Sequence, residues 1–325
     1  MTAQETRSEV PSTMKGVRLH SPGGLDHLSY EEMETPTPSP GEALVRVHAA
    51  AITRDELGWP LDRLPAIPSY ELSGVVIEVE DGVTGLGVGQ PVLALTGFDR
   101  DGVAAEYAAV PIAYLARKPQ GLTHTEAAAL PLPALSAMQG LFDHGRLQEN
   151  ERVLIHGAAG GVGAYAVQLA RRLGAYVIAT TSAERAETAR LLGADEVIDH
   201  TATDFTEAVG GVDLVFDTAG GDRLARSIPV LGDGGRLVSV AESPPEGMGA
   251  ERGIECTFFL VEPSREQLEE LALLVDQGEL RVLIDRVYPL EEARRAFERT
   301  MDRTGRGKVV LNVIDDESAH AEDGR

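Results

Sequence analysis

The stretch "RVLIHGAAGGVGAYAVQLARRLG", residues 152–174, decides the fold class because it joins an apolar strand to a helix through a glycine-rich turn. "RVLIHG" predicts a buried strand, and "VGAYAVQLARRLG" predicts a helix that ends at Gly174. The turn "HGAAGGVG", residues 156–163, stands after a strand and before a helix, as a dinucleotide fingerprint must. The sequence therefore predicts a nucleotide-binding turn, with an ordinary strand–helix turn as the structural alternative.

Glycines within this turn have separable roles. Gly160 lets the backbone approach a pyrophosphate, and Gly163 lets the helix pack close to the sheet. N–H groups around Gly161 and Val162 then face the phosphates at the positive end of the helix. Ala158 replaces the first glycine of the G-x-G-x-x-G pattern, so the match is to a variant. The predicted cofactor-binding residues of the turn are Ala158, Ala159, Gly160, Gly161, Val162 and Gly163.

The sequence around the turn alternates short apolar strands with helices, from about residue 125 to residue 260. "AYVIATT", "EVID", "VDLVFDT" and "GRLVSVA" are the strands that follow. Continuous Val, Ile and Leu strands alternating with helices predict a parallel sheet covered on both faces.

Before this α/β region the sequence indicates mostly β-structure. Short apolar segments such as residues 42–52 are separated by Gly and Pro clusters. A late apolar segment, "GKVVLNV" at 307–313, predicts a strand that returns to this first sheet. We therefore expect a discontinuous β domain at 1–125 and 265–325, with the α/β unit 126–264 inserted into it. The polar ends, residues 1–13 and 315–325, are predicted to be frayed.

Composition restricts the function classes. The 325 residues carry a net charge of −23, which argues against nucleic acid, since that partner needs clustered Lys and Arg. With one cysteine, Cys256, no intramolecular disulfide can form. The sequence has no secretory signal pattern and no apolar run of about 18 residues that could span a membrane. The expected location is the cytoplasm.

The end of the second strand of the α/β unit indicates which cofactor binds. An NAD site would place Asp or Glu about 20 residues beyond the turn. This chain has "TTSAERA" there, with hydroxyls at Thr180, Thr181 and Ser182, followed by Arg185. Hydroxyls and a guanidinium can donate hydrogen bonds to a 2′-phosphate, whereas a carboxylate would repel it. NADPH is the predicted cofactor, and a solvated Arg185 is the alternative.

Residues from about 14 to 313 resemble the medium-chain dehydrogenase/reductase superfamily, in its zinc-free quinone oxidoreductase branch. The sharpest stretch is "AAALPLPALSAMQGLFDHGRLQENERVLIHGAAGGVG", and "LLGADEVIDH" and "GRGKVVL" follow the same pattern. The resemblance implies a Rossmann domain, a doubly wound parallel sheet, inserted into a GroES-like, mostly β catalytic domain. It also implies a homodimer or a higher assembly.

Further cofactor contacts are implied by the resemblance. Ser136 matches a Ser/Thr near the nicotinamide and phosphates. His200 stands where many relatives have a tyrosine near the adenosine phosphate, which puts that contact in doubt. Ala219 and Gly220 match the turn that passes the nicotinamide ribose.

Two later segments also match the family near the cofactor. Phe258 and Phe259 lie in a segment whose backbone commonly holds the carboxamide, although their side chains could equally be core. Lys308 matches the closing Gly-Lys, which often lies near the cofactor cleft.

The metal ligands of the zinc-dependent relatives are missing from this chain. Those relatives carry Gly-His-Glu, whereas this chain reads Ser69-Tyr70-Glu71, and its preceding loop, residues 50–60, has no cysteine. A structural zinc site would need four closely spaced cysteines. We expect no zinc, and we expect Glu71 to be buried and hydrogen-bonded.

Without a Lewis acid, reduction of an enone or a quinone is easier than oxidation of a simple alcohol. The resemblance places Tyr70 in the cleft beside the nicotinamide, either as a proton or hydrogen-bond donor or as a filler of the space that zinc vacates. Thr53 stands where zinc-free relatives often have an asparagine that touches the ribose or the substrate. Tyr70 and Thr53 are the predicted catalytic residues.

The leading hypothesis is an NADPH-dependent, zinc-independent reductase of enones or quinones. A tailoring enoyl reductase of a polyketide-like or acyl intermediate differs only in substrate, and the sequence does not choose between them. A protein of another class, an NADPH-binding sensor or scaffold without turnover, is the third alternative.

Overall fold

The computed structural model describes residues 10–22, 24–59, 62–80, 85–302 and 305–314. Residues 1–9 and 315–325, where the sequence predicts frayed ends, lie outside the described residues. Thr13 already begins a strand, and the Thr35 N–H donates to the Ser12 carbonyl oxygen at 3.0 Å. The predicted N-terminal tail is therefore too long, because this pairing holds its last residues.

The elements, in chain order, comprise fifteen strands and eight α-helices in the described part of the chain. The strands are β1 (Thr13–Leu19), β2 (Leu28–Glu34), β3 (Glu42–Ile52), β4 (Glu71–Glu78), β5 (Pro91–Leu95), β6 (Tyr107–Pro111), β7 (Ala116–Arg117), β8 (Arg152–His156), β9 (Tyr176–Thr181), β10 (Glu196–Asp199), β11 (Val212–Asp217), β12 (Leu231–Ser239), β13 (Glu255–Phe258), β14 (Ile284–Pro289) and β15 (Lys308–Asn312). The helices are α1 (His124–Ala128), α2 (Pro131–Met138), α3 (Gly161–Leu173), α4 (Ala186–Leu191), α5 (Phe205–Ala208), α6 (Arg223–Ser227), α7 (Arg265–Asp276) and α8 (Ala293–Met301).

These elements form two compact units. Unit 1 comprises Met1–Leu132, Pro263–Gln277 and Val282–Arg325, and unit 2 comprises Pro133–Glu262 and Gly278–Arg281. The division falls later than residue 126, because Ala128 and Ala129 are buried against Ala49, Ala51 and Val310 of unit 1. Within the described ranges, every helix is too short or too polar to cross a membrane.

Unit 1 contains a two-stranded sheet, β1–β2, and a larger sheet with the order β14-β15-β3-β4-β5-β7, with β6 also paired to β3. β15 pairs antiparallel with β3, Val309 opposite Ile52, which confirms that the late strand returns to the first sheet. Its core is made of aliphatic side chains of these strands and of Phe297 from α8, which is fully buried. Burial of this apolar surface is what holds the distant parts of the sequence together.

Unit 2 is one parallel sheet with the order β10-β9-β8-β11-β12-β13. The strand order reverses between β8 and β11, and in such sheets ligands bind at the carboxyl ends of the strands beside this switch point. Helix α3 follows β8 and ends at Gly174, whose φ of 90° closes it in the left-handed region. The doubly wound arrangement predicted from the sequence is confirmed.

Candidate functional site

The glycine turn of unit 2 leaves no space for a side chain at Gly163. Gly157, directly after β8, has a φ of 72°, a conformation that favours glycine. A Cβ on Gly163 would lie 2.2 Å from the Gly157 carbonyl oxygen, so only glycine fits. Gly160 caps α3, and the N–H groups of the first turn, including Gly161 and Val162, have no partner inside a helix. This cradle of N–H groups at a helix start fits an anionic pyrophosphate.

The tight turn itself is made by Gly157 and not at the Ala158 position. Ala158 and Ala159 are buried, and the Ala158 N–H donates to the Thr180 carbonyl oxygen at 3.2 Å. The G-x-G-x-x-G pattern does not single out Gly157. A glycine directly after an apolar strand is the signal that does.

A buried histidine supports the turn from behind. His156 Nδ1 lies 2.9 Å from Thr180 Oγ1, and Nε2 lies 2.9 Å from Ser227 Oγ. Because Ser227 Oγ donates to the Arg223 carbonyl oxygen at 2.7 Å, it accepts from Nε2–H, and the Thr180 hydroxyl donates to Nδ1. Burial lowers the pKa of His156 to about 3, so the ring is neutral. The Thr180 hydroxyl is thus turned away from the place predicted for it, beside a 2′-phosphate.

The remaining residues predicted to select NADPH lie at the carboxyl end of β9. Thr181 is buried, while Ser182 and Arg185 are half-buried. His200 follows β10 and is exposed. Its backbone N–H donates to the Thr181 carbonyl oxygen at 3.0 Å. The sheet therefore brings Thr181, Ser182, Arg185 and His200 to one edge.

An acidic residue lies at the same edge. Asp199 is the register partner of Thr181, and its carboxylate accepts from the N–H and the hydroxyl of Thr201 at 2.9 and 2.7 Å. Hydrogen bonds from Thr201 lower the pKa of Asp199, so it is ionised at neutral pH. The linear sequence places Asp199 far from Ser182, and only the pairing of β9 with β10 makes them neighbours.

Asp217 shapes the turn after β11. Its carboxylate accepts from the Gly220 N–H at 3.0 Å, from the Ala219 N–H at 3.2 Å and from Ser239 Oγ at 3.0 Å. Ser239 Oγ in turn accepts from the Glu242 N–H at 3.2 Å. One buried carboxylate thus fixes the predicted ribose turn and the loop after β12.

The two predicted phenylalanines face different surroundings. Phe258 is 38% exposed, whereas Phe259 is buried and stacks on His144 with ring centroids 4.3 Å apart. The Phe259 N–H donates to the Ser239 carbonyl oxygen at 3.3 Å. Ser136, within α2, is also buried.

In unit 1, Tyr70 is enclosed by other side chains. None of its surface is exposed. Its ring packs against Trp59 and Phe98, with centroids 5.6 and 5.2 Å away, and Arg63 Nη2 donates to its hydroxyl at 3.3 Å. Burial raises the pKa of the phenol, and Arg63 offsets part of this effect. Of the two roles considered for Tyr70, proton or hydrogen-bond donor and space filler, this arrangement favours the second.

The residue before Tyr70 has an unusual backbone. Ser69 has a φ of 67°, in the region where glycine is favoured. Its hydroxyl donates to the Ala51 carbonyl oxygen at 2.8 Å, and its N–H donates to Glu56 Oε1 at 3.0 Å. These bonds hold a serine where the zinc-dependent pattern of the resembled family has a glycine.

Lys308 is at the centre of a buried charge cluster. Its ammonium forms a short ion pair with Glu71 Oε1 and donates to Thr53 Oγ1 at 2.8 Å. Glu71 has no exposed surface, and its other oxygen accepts from the Leu132 N–H at 2.9 Å. The expectation that Glu71 is buried and hydrogen-bonded is confirmed. Lys308, predicted to lie near the cofactor, has two partners inside unit 1.

Glu56 completes the cluster. Its carboxylate accepts from the N–H groups of Thr53 at 2.9 Å and Ser69 at 3.0 Å, and it has no exposed surface. Burial is the main cause that raises the pKa of Glu56 to about 8. The neighbouring Glu71 also acts to raise it, whereas the Thr53 and Ser69 N–H groups and Lys308 act to lower it. The pattern Thr53-x-x-Glu56 matches the Ser/Thr-x-x-Glu spacing of a capping box, and is the sequence signal for this contact.

The donor set does not suit a metal ion. Among the residues that the structure describes, no group of three His, Cys, Asp or Glu side chains is placed to hold one. In unit 1 the carboxylate of Glu71 is instead paired with the ammonium of Lys308.

Two family models match the chain. Residues 39–120 match the alcohol dehydrogenase GroES-like domain, and residues 192–311 match the zinc-binding dehydrogenase family.

Several curated proteins are similar over nearly the whole chain. A probable zinc-binding oxidoreductase, mitochondrial, from Arthroderma benhamiae is 33% identical, with 94% of this chain and 99% of the relative covered. A 2-methylene-furan-3-one reductase from Solanum lycopersicum is 32% identical over 95% of this chain and 81% of the relative. The polyketide synthase GfsB of Streptomyces halstedii is 35% identical over 91% of this chain, which spans 6% of that protein.

Among solved structures, the quinone oxidoreductase from Coxiella burnetii superposes with a TM-score of 0.86. It is 31% identical, and 93% of this chain and 99% of that chain are covered.

Proposed function

The chain belongs to the medium-chain dehydrogenase/reductase superfamily, in its quinone oxidoreductase-like branch, and from this premise we propose that it is an NADPH-dependent, zinc-independent reductase of enones or quinones. The observation that carries the proposal is the turn at 157–163, where backbone N–H groups at the start of α3 form a cradle and a Cβ on Gly163 would meet the Gly157 carbonyl oxygen. That it is an oxidoreductase binding a nicotinamide cofactor follows from the family.

A nicotinamide cofactor, when bound, supplies a hydride to the substrate. The turn at 157–163 would hold its pyrophosphate, and Ala219 and Gly220 would contact its ribose. Ser182 and Arg185 would donate hydrogen bonds to the 2′-phosphate. Further contacts would come from Ser136, Thr181, His200 and the segment at 258–259.

The chain itself must then stabilise charge on the substrate oxygen and provide a dry cleft. Thr53 is proposed for the first task, because the residue is half-buried and its hydroxyl is held by a charged partner. Tyr70 is proposed to shape the cleft together with Trp59 and Phe98. A Tyr70→Phe variant that keeps the wild-type kcat would support this role, whereas a loss of kcat with unchanged KM would restore Tyr70 as a proton donor.

The substrate class is supported by one relative in particular. The name 2-methylene-furan-3-one describes an alkene conjugated to a ketone, and the relative named for its reduction covers nearly the whole chain. We expect NADPH oxidation with a panel of enones and quinones, unchanged by a chelator such as EDTA. Activity that EDTA removes and zinc restores would overturn the zinc-independent part of the proposal.

Cofactor choice is a separate test because of Asp199. Its carboxylate lies at the edge where a 2′-phosphate would bind, which opposes NADPH, while Arg185 favours it. We expect tighter binding of NADPH than of NADH, a preference that Arg185→Ala lowers and Asp199→Asn raises. Tighter binding of NADH by the wild type would contradict the proposal.

A tailoring enoyl reductase is the second candidate, favoured by the match to a segment of the polyketide synthase GfsB. Acyl thioesters of N-acetylcysteamine with a 2,3-double bond are the discriminating substrates. If kcat/KM for these exceeds that for quinones and cyclic enones, the second candidate replaces the first. If NADPH raises the Tm but no substrate consumes it, the protein is a sensor or scaffold.

We also propose a homodimer. β13 is an edge of the unit 2 sheet, and Phe258 and Leu260 beside it are 38% and 68% exposed. Light scattering should give twice the chain mass, and Leu260→Asp should weaken the dimer more than Leu191→Asp, whose residue is 69% exposed on α4. A monomer mass for the wild type would contradict this.

A further inference from the structure

The hydrogen bond between Lys308 and Thr53 joins two residues that differ in solvent exposure. The Lys308 ammonium behind it is buried, with 7% of its side chain exposed, whereas Thr53 is half-buried. Lys308 Nζ lies 2.8 Å from Thr53 Oγ1. The contact links a charge inside unit 1 to the hydroxyl of a partly exposed residue.

The direction of this hydrogen bond decides what the hydroxyl can do. An ammonium has three donors and no acceptor, so Thr53 Oγ1 must be the acceptor. The hydrogen of the hydroxyl is consequently directed elsewhere and can be donated to another group. Hydrogen bonds in a chain polarise one another, most strongly where the local dielectric is low. Thr53 is therefore a stronger donor than an isolated threonine.

Other contacts hold this pair in place. Glu56 accepts the Thr53 N–H at 2.9 Å, which fixes the backbone of Thr53. Glu71 pairs with the Lys308 ammonium and is itself fixed by the Leu132 N–H. The donor geometry is thus set before any substrate arrives, as electrostatic stabilisation requires.

We propose that Lys308 is a positioning residue that acts through Thr53, making its hydroxyl a charge-assisted donor to the substrate oxygen on which negative charge develops. The inference rests on the proposed function, since an enolate or a reduced quinone carries that oxygen. The step is hydrogen bonding alone, and no bond forms or breaks at Thr53 or Lys308. It gives Lys308 a role other than the cofactor contact expected from the resemblance.

A binding measurement tests the inference without turnover. 4-Nitrophenol absorbs differently as phenol and phenolate, so its protonation can be read in the full-length protein saturated with NADP⁺. We expect the wild type to bind the phenolate at least about tenfold more tightly than the phenol, equal to a pKa of the bound probe lowered by about one unit. Thr53→Val should abolish this preference, and Thr53→Ser should keep it.

Removing the charge needs a variant that still folds. Lys308→Met alone leaves Glu71 as a buried unpaired carboxylate, so the neutral pair Lys308→Met/Glu71→Gln is the better variant. It should lose the phenolate preference as Thr53→Val does. Lys15→Met is the matched control, because this lysine is 45% exposed and pairs with the exposed Glu32. A phenolate preference that survives in the neutral pair, or is absent in the wild type, would overturn the inference.

Kinetics supply the second test through a double-mutant cycle. With an active substrate, Thr53→Val and the neutral pair should each lower kcat by roughly 100-fold, as loss of one oxyanion donor does. Their combination should be little worse than either, because both act through the same hydroxyl. Additive losses, or a raised Kd for NADPH with unchanged kcat, would make Lys308 a cofactor contact instead.

The proposed function and the donor chain from Lys308 through Thr53 can fail independently of each other. If the wild type prefers the phenolate but reduces no enone, quinone or enoyl thioester, the proposed function fails and the donor chain stands. If the wild type is an active reductase without that preference, the proposed function stands and the donor chain fails.

Discussion

The glycine turn of unit 2 and the charge cluster of unit 1 are opposite ways of building a candidate functional site. In the turn, residues 157–163, backbone N–H groups lie at the start of α3, and the Gly157 carbonyl oxygen leaves no space for a Cβ on Gly163. The cluster is built around charged side chains that also accept from backbone N–H groups, and its members Thr53, Glu56, Glu71 and Lys308 are separated by up to 255 residues. Local backbone geometry makes the first site, and the β15–β3–β4 pairing makes the second.

This difference determines how each site can be damaged. A site made of backbone is destroyed by adding atoms, whereas a site made of paired charges is destroyed by removing one partner. Variants of the two sites should therefore differ in kind, in cofactor affinity for the turn and in stability and pH dependence for the cluster.

The largest expected effect on cofactor affinity is at Gly163. In Gly163→Val the added Cβ would lie 2.2 Å from the Gly157 carbonyl oxygen, so the turn must open. We expect NADPH affinity to fall by at least about 100-fold, or about 2.7 kcal/mol, measured by fluorescence titration. Gly210→Ala is the control, since a Cβ there meets nothing within 4 Å. Wild-type affinity in Gly163→Val would show that the turn does not bind the cofactor.

The largest expected effect on stability is the loss of the buried cation. Lys308→Met leaves Glu71 unpaired, which should lower the free energy of unfolding by about 3–5 kcal/mol. Urea denaturation measures it, and Glu71→Gln in the same chain should recover part of the loss. Lys15→Met, at an exposed ion pair, should change stability by less than about 0.5 kcal/mol. Equal losses in the two lysine variants would mean that the cluster is not a buried charge system.

A pH effect is expected from Glu56. Burial raises its pKa to about 8 in the folded protein, against about 4.3 in an unfolded chain. The folded protein therefore holds a proton that the unfolded chain releases, and this contribution is complete below about pH 4.3 and is lost as pH rises through 8. We expect the stability of wild type relative to Glu56→Gln to fall by on the order of 4 kcal/mol between pH 5 and pH 9. Parallel pH profiles of the two proteins would contradict it.

The smallest effect on the free energy of unfolding should come from a change at Ser69, through its backbone conformation. Its φ of 67° disfavours a β-branched residue, so Ser69→Val should lower the free energy of unfolding by about 1–3 kcal/mol. Ser69→Gly relieves the backbone but loses the hydrogen bond to Ala51, and should change stability by about 1 kcal/mol or less. The two variants are compared by thermal unfolding. A Ser69→Val protein as stable as Ser69→Gly would show that the conformation is not strained.

Much of the fold could be predicted because its signals are local. β3 and β10 begin and end where the apolar segments do, and α3 ends at Gly174. The domain boundary could not be placed as well, because Ala128 and Ala129 belong to unit 1 only through their contacts with Ala49 and Ala51. No local pattern carries that information.

The candidate site divides in the same way. The glycine positions and the substitution of Tyr70 for a metal ligand were readable from the sequence, since each depends on a short motif. His156 and Arg63 were not, because nothing beside them in the chain indicates that they bond Thr180 and Tyr70, and the bond of Asp217 to Ser239 depends on the pairing of β11 with β12. Their roles come from strand pairing and loop packing.

The sequence by itself determined the doubly wound sheet, the glycine-rich turn and the lack of zinc-site cysteines, because periodicity, glycine spacing and residue identity are properties of neighbouring residues. Only the tertiary structure decided that Asp199 lies beside Ser182 and that Lys308 is held between Glu71 and Thr53. Burial in a folded core changes the energy of a charge by its distance to a partner, and that distance does not exist until the strands have paired.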